Sequence, residues 1–376
     1  MTAADLDRVE ASVEDGLTLP GSWYLDRELY ELEREAIFKR TWQYACHASA
    51  VAHPGDYAVC PVGDFTVLVA RDQEGRLRAF HNTCQHRGSE LATESGNGKA
   101  LRCAYHGWTY GLDGALRSAP RLKGAPGFDP SEIRLPEIRL DAWEQFLFVN
   151  CDLDAPPLAE RLGDLARMVA AFPLDYASLV HDERITYDVA ANWKIVVENS
   201  VECYHCHIAH PELVDLVDMK LFEQETLPYG FVQRSPLADD GERSTEDGAG
   251  YDYPAGAVRE GGYHFFWPNF YFLVYPGPGN VSSMCFYPRG VDRTEIVRDF
   301  YYAPSVPAEE RREITAFIDT IQRQDSGLCE GVQRGLRGGG FTQGRLQLHD
   351  HLGEYGPHLH QQLVVRHLRE YVDAGA

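Results

Sequence analysis

The sequence predicts an α+β chain, with a small all-β domain followed by a larger domain that mixes helices with long strands. Three observations carry that reading. Between about residues 44 and 150, short β-prone segments are broken by Gly, Pro and Asp. Residues 152–160 (DLDAPPLAE) form a boundary rich in Pro and Asp. Beyond it, helical and strand-like stretches follow one another to the end.

Taken in order, the chain opens on an acidic stretch, MTAADLDRVEASVEDG, without the apolar centre of a secretion signal. Residues 26–43 (DRELYELEREAIFKRTWQ) have helical periodicity, with Leu29, Leu32 and Ile37 on one side. Residues 1–43 are thus an N-terminal helical segment. The segments DYAVCPV, FTVLVAR, LRAFHN and QFLFVNC follow as short strands bounded by turn formers. They place the all-β domain at 44–152. In the remaining domain, 153–376, the pattern predicts a helix over about 193–208, a strand block over 260–303 and a helix over about 307–336.

Four residues on the loops of the β domain carry its chemistry. Cys84 and His86 form a C-x-H knuckle, and Cys103 and His106 form a C-x-x-H knuckle. Each offers one thiolate and one imidazole. Structural zinc sites of the Cys2His2 kind usually pair Cys with Cys and His with His. Mixed knuckles instead suit a Rieske [2Fe–2S] centre, with two thiolates on one iron and two imidazoles on the other. Gly88 and Gly107 follow the knuckles and permit the tight turns they need.

A second group lies in Asn192–Pro211, NWKIVVENSVECYHCHIAHP. Helical spacing aligns Glu198, Glu202 and His205 in one stripe, and acids on such a face need a partner. Two imidazoles and a carboxylate bind ferrous iron and leave positions open for dioxygen. The spacing leaves the pair open. His207 and His210 suit a straight helix, whereas His205 and His210 need an unwound one. The third ligand must come from elsewhere. In the helix over about 307–336, Ile314, Phe317, Ile318, Ile321, Leu328 and Val332 share a face, and Asp325 falls on it. A lone acid on an apolar stripe wants a cation, unless Arg323 or Arg334 pairs with it.

With 376 residues, 44% of them hydrophobic, the chain has ample material for a core. No apolar run approaches the ~20 residues that span a bilayer. A net charge of −22 argues against nucleic acid or an anionic membrane as partner. Nine cysteines without disulfide-framework spacing read as metal ligands and buried thiols of a cytoplasmic protein.

Together these residues resemble the catalytic subunit of Rieske non-haem iron oxygenases, the aromatic-ring-hydroxylating dioxygenase alpha family. The resemblance runs from about residue 20 to 370. It rests on C-x-H-R-G, C-x-Y-H and NWK-x-x-x-E-N-x-x-E-C-Y-H-C-x-x-x-H-P. It implies a helix-grip catalytic domain, with His205, His210 and Asp325 as ligands of a mononuclear Fe(2+). It also implies O2 as co-substrate, a separate NAD(P)H-dependent reductase as electron donor, and a head-to-tail homotrimer. In such a trimer His106 bonds Glu202 of the partner subunit, which in turn holds His205, so that Glu202 is the bridging acid. The better-known ring dioxygenases carry aspartate at that position, run longer and often have a beta subunit.

Glutamate there, with the strings around Cys203 and Asp325, is more similar to the subgroup that oxidises quaternary ammonium compounds such as glycine betaine, stachydrine, choline and carnitine. The expected activity is hydroxylation or N-demethylation of such a compound. The alternatives are aromatic ring oxidation by the same metals, or a pure electron carrier without the second iron. The segment YHFFWPNFYFLVY offers Phe265, Trp267, Phe270 and Phe272 as candidate substrate-binding residues, since aromatic faces hold methylated cations. Strand alternation sends about half of such residues away from any pocket. Residues 225–260, rich in Gly, Asp and Glu, read as a mobile segment.

Overall fold

The computed structural model describes residues 2–238 and 258–375. It divides into two compact units, one of residues 38–158 and one made of 1–37 with 159–376.

The first unit is built from β1 (Gln43–His47), β2 (Asp56–Val62), β3 (Phe65–Arg71), β4 (Leu77–His81), β5 (Gly96–Asn97), β6 (Ala100–Arg102), β7 (Thr109–Gly111), β8 (Leu116–Ser118), β9 (Arg139–Trp143) and β10 (Phe146–Asn150). They form three antiparallel sheets, ordered β1-β10-β9, β4-β3-β2-β5 and β6-β7-β8. Strand β3 explains how so small a unit closes. Its Val67 and Val69 enter one core with Val62, Leu147 and Val149. Its Leu68 and Ala70 enter a second with Phe80, Trp108 and Tyr110. Both faces of the strand are covered, which is why FTVLVA shows no alternation of polarity.

The second unit comprises α1 (Ala3–Glu14), α2 (Arg27–Glu33), α3 (Leu158–Leu162), α4 (Asp164–Ala170), β11 (Val180–Val189), α5 (Trp193–Ser200), α6 (Cys206–Ala209), α7 (Pro211–Leu216), β12 (Glu223–Leu227), β13 (Gly230–Pro236), β14 (Glu260–Phe266), β15 (Phe270–Val274), β16 (Asn280–Gly290), β17 (Arg293–Tyr302), α8 (Ala308–Arg337) and α9 (Tyr355–Asp373). Seven strands make one antiparallel sheet, ordered β11-β17-β16-β15-β14-β13-β12. Helix α5 packs on β16 of this sheet and touches both α8 and α9. The N-terminal segment belongs to this unit. Leu6, Val9 and Val13 of α1 are buried, and Arg369 of α9 pairs with Asp7 and Glu10 at 2.8 and 2.7 Å. Among the described residues no helix is long and apolar enough to cross a membrane.

Three expectations are corrected. The helix over 193–208 stops at Ser200 and resumes only at Cys206. On α8, Leu328 and Val332 are exposed, at 43% and 50%. After Ile321 the inner stripe passes instead to Gln322, Cys329, Gln333 and Leu336. Of the segment expected to be mobile, Glu223–Leu227 and Gly230–Pro236 are paired strands, and 239–257 lie outside the described residues.

The NWK string has a structural job. Asn192 caps α5 by accepting from the Lys194 N–H at 3.0 Å, and its own N–H donates to Gln333 Oε1 of α8 at 2.7 Å. Lys194 Nζ lies 2.6 Å from Glu33 Oε1 of α2, and Trp193 Nε1 donates to Glu33 Oε2 at 2.7 Å. Both charges are fully buried. Breaking such a pair from one side strands a charge in the interior. Glu33→Gln is therefore expected to destabilise the fold by ~3–5 kcal/mol, measured by urea denaturation, and E33Q/K194M by markedly less. Equal losses for the single and double variants would contradict the pairing.

Candidate metal centres

The two mixed knuckles fold alike. Cys84 N–H donates to Ser89 O at 2.8 Å and Gly88 N–H to Cys84 O at 3.0 Å. Cys103 N–H donates to Trp108 O at 2.8 Å and Gly107 N–H to Cys103 O at 3.0 Å. Each loop closes on a glycine with positive φ, +70° at Gly88 and +75° at Gly107. Nothing crowds a Cβ at Gly88, so the glycine is needed for its backbone angle alone.

These loops bury both cysteines, while His106 is exposed and His86 half-buried. The imidazoles stand side by side, their centroids 4.6 Å apart, and His86 stacks on Trp108 at 4.7 Å. Backbone N–H groups of Tyr105 and His106 point at Cys103 Sγ, and that of His86 at Cys84 Sγ. Tyr110 was not foreseen from the sequence. Its hydroxyl lies 3.5 Å from Cys84 Sγ and accepts from Gln85 N–H at 3.0 Å. Sulfurs that receive hydrogen bonds, with imidazoles at the surface, fit a [2Fe–2S] centre of raised potential.

The second centre depends on the break after α5. The chain unwinds through Val201–Tyr204, and a disulfide between Cys203 and Cys206 closes that turn. This corrects the reading of every cysteine as ligand or free thiol. The turn is short enough to bring two residues only three apart into bonding range, with Cα atoms 4.9 Å apart. His205 sits within it, and His210 follows at the junction of α6 and α7. Asp325 arrives from the middle of α8.

The three side chains converge. His205 Nε2 and His210 Nε2 are 3.1 Å apart, and Asp325 Oδ1 is 2.9 Å from His210 Nε2 and 3.3 Å from His205 Nε2. Each imidazole is held from behind. His205 Nδ1 donates to Glu202 Oε1, and His210 Nδ1 donates to Gln324 Oε1 at 2.7 Å. With both Nδ1 atoms donating, both Nε2 atoms turn towards Asp325. Two nitrogens and one carboxylate oxygen on a common point are the donor set of a ferrous ion with positions left open. His207 is exposed and takes no part. Arg323 pairs with Asp319 and Arg334 with Glu330, so neither claims Asp325. Glu198, expected in the stripe, accepts from Tyr24 OH at 2.8 Å and lies 3.3 Å from His360 Nδ1. Gln324 is a supporting residue that no sequence signal singled out.

Two cavities meet at this point. One, of about 70 Å³, runs over the sheet and is lined by His205, His210, Asp325, Phe222, Tyr263, Tyr271, Tyr275 and Arg298, among others. The other, of about 640 Å³, lies among Tyr24, Glu198, Leu328, Val332, Phe341 and Glu354. Glu202 and His205 line both. The aromatic candidates require correction. Phe270 and Phe272 are one residue out of phase with Tyr271 and so point to the other face of the sheet. Phe265 and Trp267 pack against His360 of α9. None of the four lines either cavity.

A cluster domain and an iron domain in series define an oxygenase fed with single electrons. Residues 41–132 match the Rieske [2Fe-2S] domain, and 176–372 match the ring hydroxylating alpha subunit, catalytic domain. The chain belongs to this family, the Rieske non-haem iron oxygenases. Its cofactors are a [2Fe–2S] cluster and a mononuclear iron, with dioxygen as co-substrate. It is 30% identical to the carnitine monooxygenase oxygenase subunit of Acinetobacter pittii, over 93% of this chain and 94% of that one. It is 32% identical to the chloroplastic choline monooxygenase of Spinacia oleracea, over 88% and 74%. A solved quaternary ammonium Rieske monooxygenase, described with inter-subunit electron transfer, superposes with a TM-score of 0.86 at 28% identity, over 96% and 98%.

Two measurements test the second centre. Gln324→Ala frees His210 to rotate and should weaken ferrous binding ~10–100-fold in a chelator competition, with the cluster absorption unchanged. Unaltered affinity would remove Gln324 from the site. Burial pushes the His205 pKa down, but Asp325 and Glu202 outweigh it and raise the pKa to about 10. The metal-free imidazole therefore holds its extra proton through neutral pH, and a metal must displace it. Ferrous titration at pH 7.5 should release protons, seen as heats that differ between buffers of different ionisation enthalpy. Heats independent of buffer would contradict a protonated His205.

Proposed function

We propose that this oxygenase hydroxylates a small quaternary or methylated ammonium compound at a carbon bonded to nitrogen. The observation that carries the reading is the aromatic cavity, with the rings of Phe222, Tyr263, Tyr271 and Tyr275, opening directly onto His205, His210 and Asp325. Aromatic faces attract methylated cations by ~0.5–2 kcal/mol each. The carnitine and choline monooxygenases among its relatives support the same class.

In this reading Cys84, His86, Cys103 and His106 hold the cluster, and His205, His210 and Asp325 hold the mononuclear iron. When bound, these groups supply one-electron transfer and the activation of dioxygen. The chain's own part is placement. Glu202 and Gln324 fix the two imidazoles, Asp325 supplies the charged ligand, and the aromatic walls orient a methyl or methylene group. Hydroxylation beside nitrogen gives a carbinolamine. Its C–N bond then breaks, leaving an amine and an aldehyde, which is formaldehyde when a methyl group is attacked.

Electrons enter from a separate reductase, and the chain works as a homotrimer in which the cluster of one protomer faces its partner's iron site. Supporting this, His106 and Tyr105 are exposed at the cluster loops. Glu202 lines the wider cavity, where Leu328, Val332 and Phe341 are exposed apolar residues. The described transfer between subunits in the solved relative is of the same kind.

A single turnover tests the substrate class. Chemically reduced protein is given a mixture of methylammonium and simple aromatic compounds, then oxygen, and products are identified by mass. An amine with matching aldehyde is expected, and a hydroxylated ring would replace this reading with aromatic oxidation. Asp325→Ala should abolish turnover while the cluster spectrum persists. With ferrous ion supplied in excess to offset the weaker hold on His205, Glu202→Ala should slow reoxidation of the cluster by substrate and oxygen. An unchanged rate would remove Glu202 from the electron path.

A further inference from the structure

Arg298 stands out among the cavity residues. It lies in β17, is only 2% exposed, and faces the same space as His205, His210 and Asp325. Its guanidinium donates through Nε to Ser282 Oγ at 3.1 Å, and through Nη2 to Ser282 Oγ at 3.0 Å and to Tyr275 OH at 3.3 Å. Both partners are neutral. The Nη1 group has no partner among the described residues, and no carboxylate there pairs with the charge. Asp299, next in the chain, points to the opposite face, where Arg184 holds it at 2.7 and 2.8 Å and His181 lies at 2.9 Å. A buried, uncompensated guanidinium is costly, and it is retained where something supplies the anion.

Two more donors without a hydrogen-bond partner among the described residues lie beside it. The hydroxyl of Tyr263 is buried and unpartnered, and so is Nε2 of Gln233. Tyr271 OH donates to Gln233 Oε1 at 2.7 Å, which leaves the Gln233 NH2 as the free end of the amide. Strand pairing sets Gln233 opposite Tyr263, and sets Tyr271 and Arg298 each opposite Met284 on its two sides. Opposed residues share a face, so these side chains all line the cavity. The rings of Tyr263 and Tyr275 are 5.5 Å apart, and the guanidinium carbon of Arg298 is 5.7 Å from the Tyr275 ring. One wall thus gathers a cation and two neutral donors, and no acceptor among the described residues answers Tyr263, Gln233 Nε2 or the Arg298 Nη1 group.

We propose that Arg298, Tyr263 and Gln233 form a carboxylate anchor, so that the substrate is a zwitterion carrying a carboxylate as well as a methylated ammonium group. This deepens the proposed function and rests on it for the ammonium half. A plain cation leaves the anchor unfilled and meets repulsion from Arg298. A zwitterion with its charges separated by a short chain puts the carboxylate on the guanidinium and leaves the cavity's rings for the ammonium group.

Calorimetric binding to the iron-loaded chain, without oxygen, tests this with three probes. γ-Butyrobetaine carries both groups, choline only the ammonium, and benzoate only the carboxylate. γ-Butyrobetaine is expected to bind at least about 100-fold more tightly than choline, since buried donors left unpaired discriminate strongly. Arg298→Gln should bring γ-butyrobetaine down to the level of choline, and R298K should restore part of the difference. Tyr263→Phe should weaken γ-butyrobetaine alone. The cluster absorption reports that each variant is intact, and the wild-type ratio needs no variant. Equal binding of choline and γ-butyrobetaine, or γ-butyrobetaine binding indifferent to Arg298→Gln, would overturn the anchor while leaving the ammonium reading in place. Binding of benzoate alone, lost in Arg298→Gln, would keep the anchor and overturn the ammonium reading. No binding of any probe would overturn the anchor.

Discussion

Two imidazole nitrogens 3.1 Å apart, with a carboxylate oxygen at a similar distance, are a constraint that the rest of the catalytic unit serves. Lone pairs do not gather without a cation among them, and bringing them together costs backbone regularity. The helix that begins at Trp193 gives up its ladder after Ser200, and a short disulfide-closed turn replaces it. What makes this affordable is the rigidity on either side. Upstream, the first turn of the helix is tied down by the buried pair of Lys194 with Glu33 and by the bond from Asn192 to Gln333. Opposite, Asp325 rides on a helix of 30 residues whose inner stripe is locked in place by Ile314, Ile318, Ile321 and Cys329. The flexible element is thus clamped between stiff ones, as a site that must hold its ligands to a fraction of an ångström requires.

Glu202 occupies an unusual place in this arrangement. One carboxylate oxygen receives the Nδ1–H of His205, while the residue also lines the wider cavity. It therefore sits on the boundary between two environments with different duties. The narrow cavity is walled by tyrosines and reaches His210 and Asp325. The wider one is rimmed by Leu328, Val332 and Phe341, all of them exposed. Exposed apolar groups rim a cavity that also holds three acids, Glu198, Glu202 and Glu354, whereas the narrow cavity carries the iron ligands.

Much of this was legible in the sequence because metal ligation and strand burial both leave local marks. The knuckles at Cys84 and Cys103 announce themselves by spacing, and strands β2, β3 and β4 begin and end where their turn formers say. Asp325 was found by periodicity alone, as an acid on an apolar stripe. Periodicity then failed one turn later, since Leu328 and Val332 continue the pattern yet face outwards. The choice of His205 over His207 needed the resemblance, because the unwinding that selects it comes from tertiary packing, and helical spacing assumes no unwinding. Gln324 and Tyr110 left no mark, for a single hydrogen bond to a ligand has no sequence signature. The aromatic block misleads in two ways. Phe270 and Phe272 are out of phase with Tyr271 and face away, whereas Phe265, paired opposite Tyr271, shares the inner face with Tyr263 but packs with Trp267 on His360 beyond the cavity.

That phase decides the chemistry of the cavity, and it is set far from the metals. In an antiparallel sheet, sliding one strand by a single residue exchanges its two faces. Were β17 to slip so, Asp299 would stand beside the iron ligands and Arg298 would face away, and the wall would attract a cation where it now attracts an anion. The register is held by the long pairing of β16 with β17, from Asn280 opposite Tyr302 to Pro288 opposite Thr294, with its irregularity confined to the end at Gly290. On the outer face, Arg184 and His181 hold Asp299 in place and so oppose the slip electrostatically. Substrate polarity in this fold is consequently a property of sheet register as much as of the residues lining the cavity. Which of the two neighbouring side chains in β17 faces the cavity, Arg298 or Asp299, sets the charge that the wall presents beside the metal ligands.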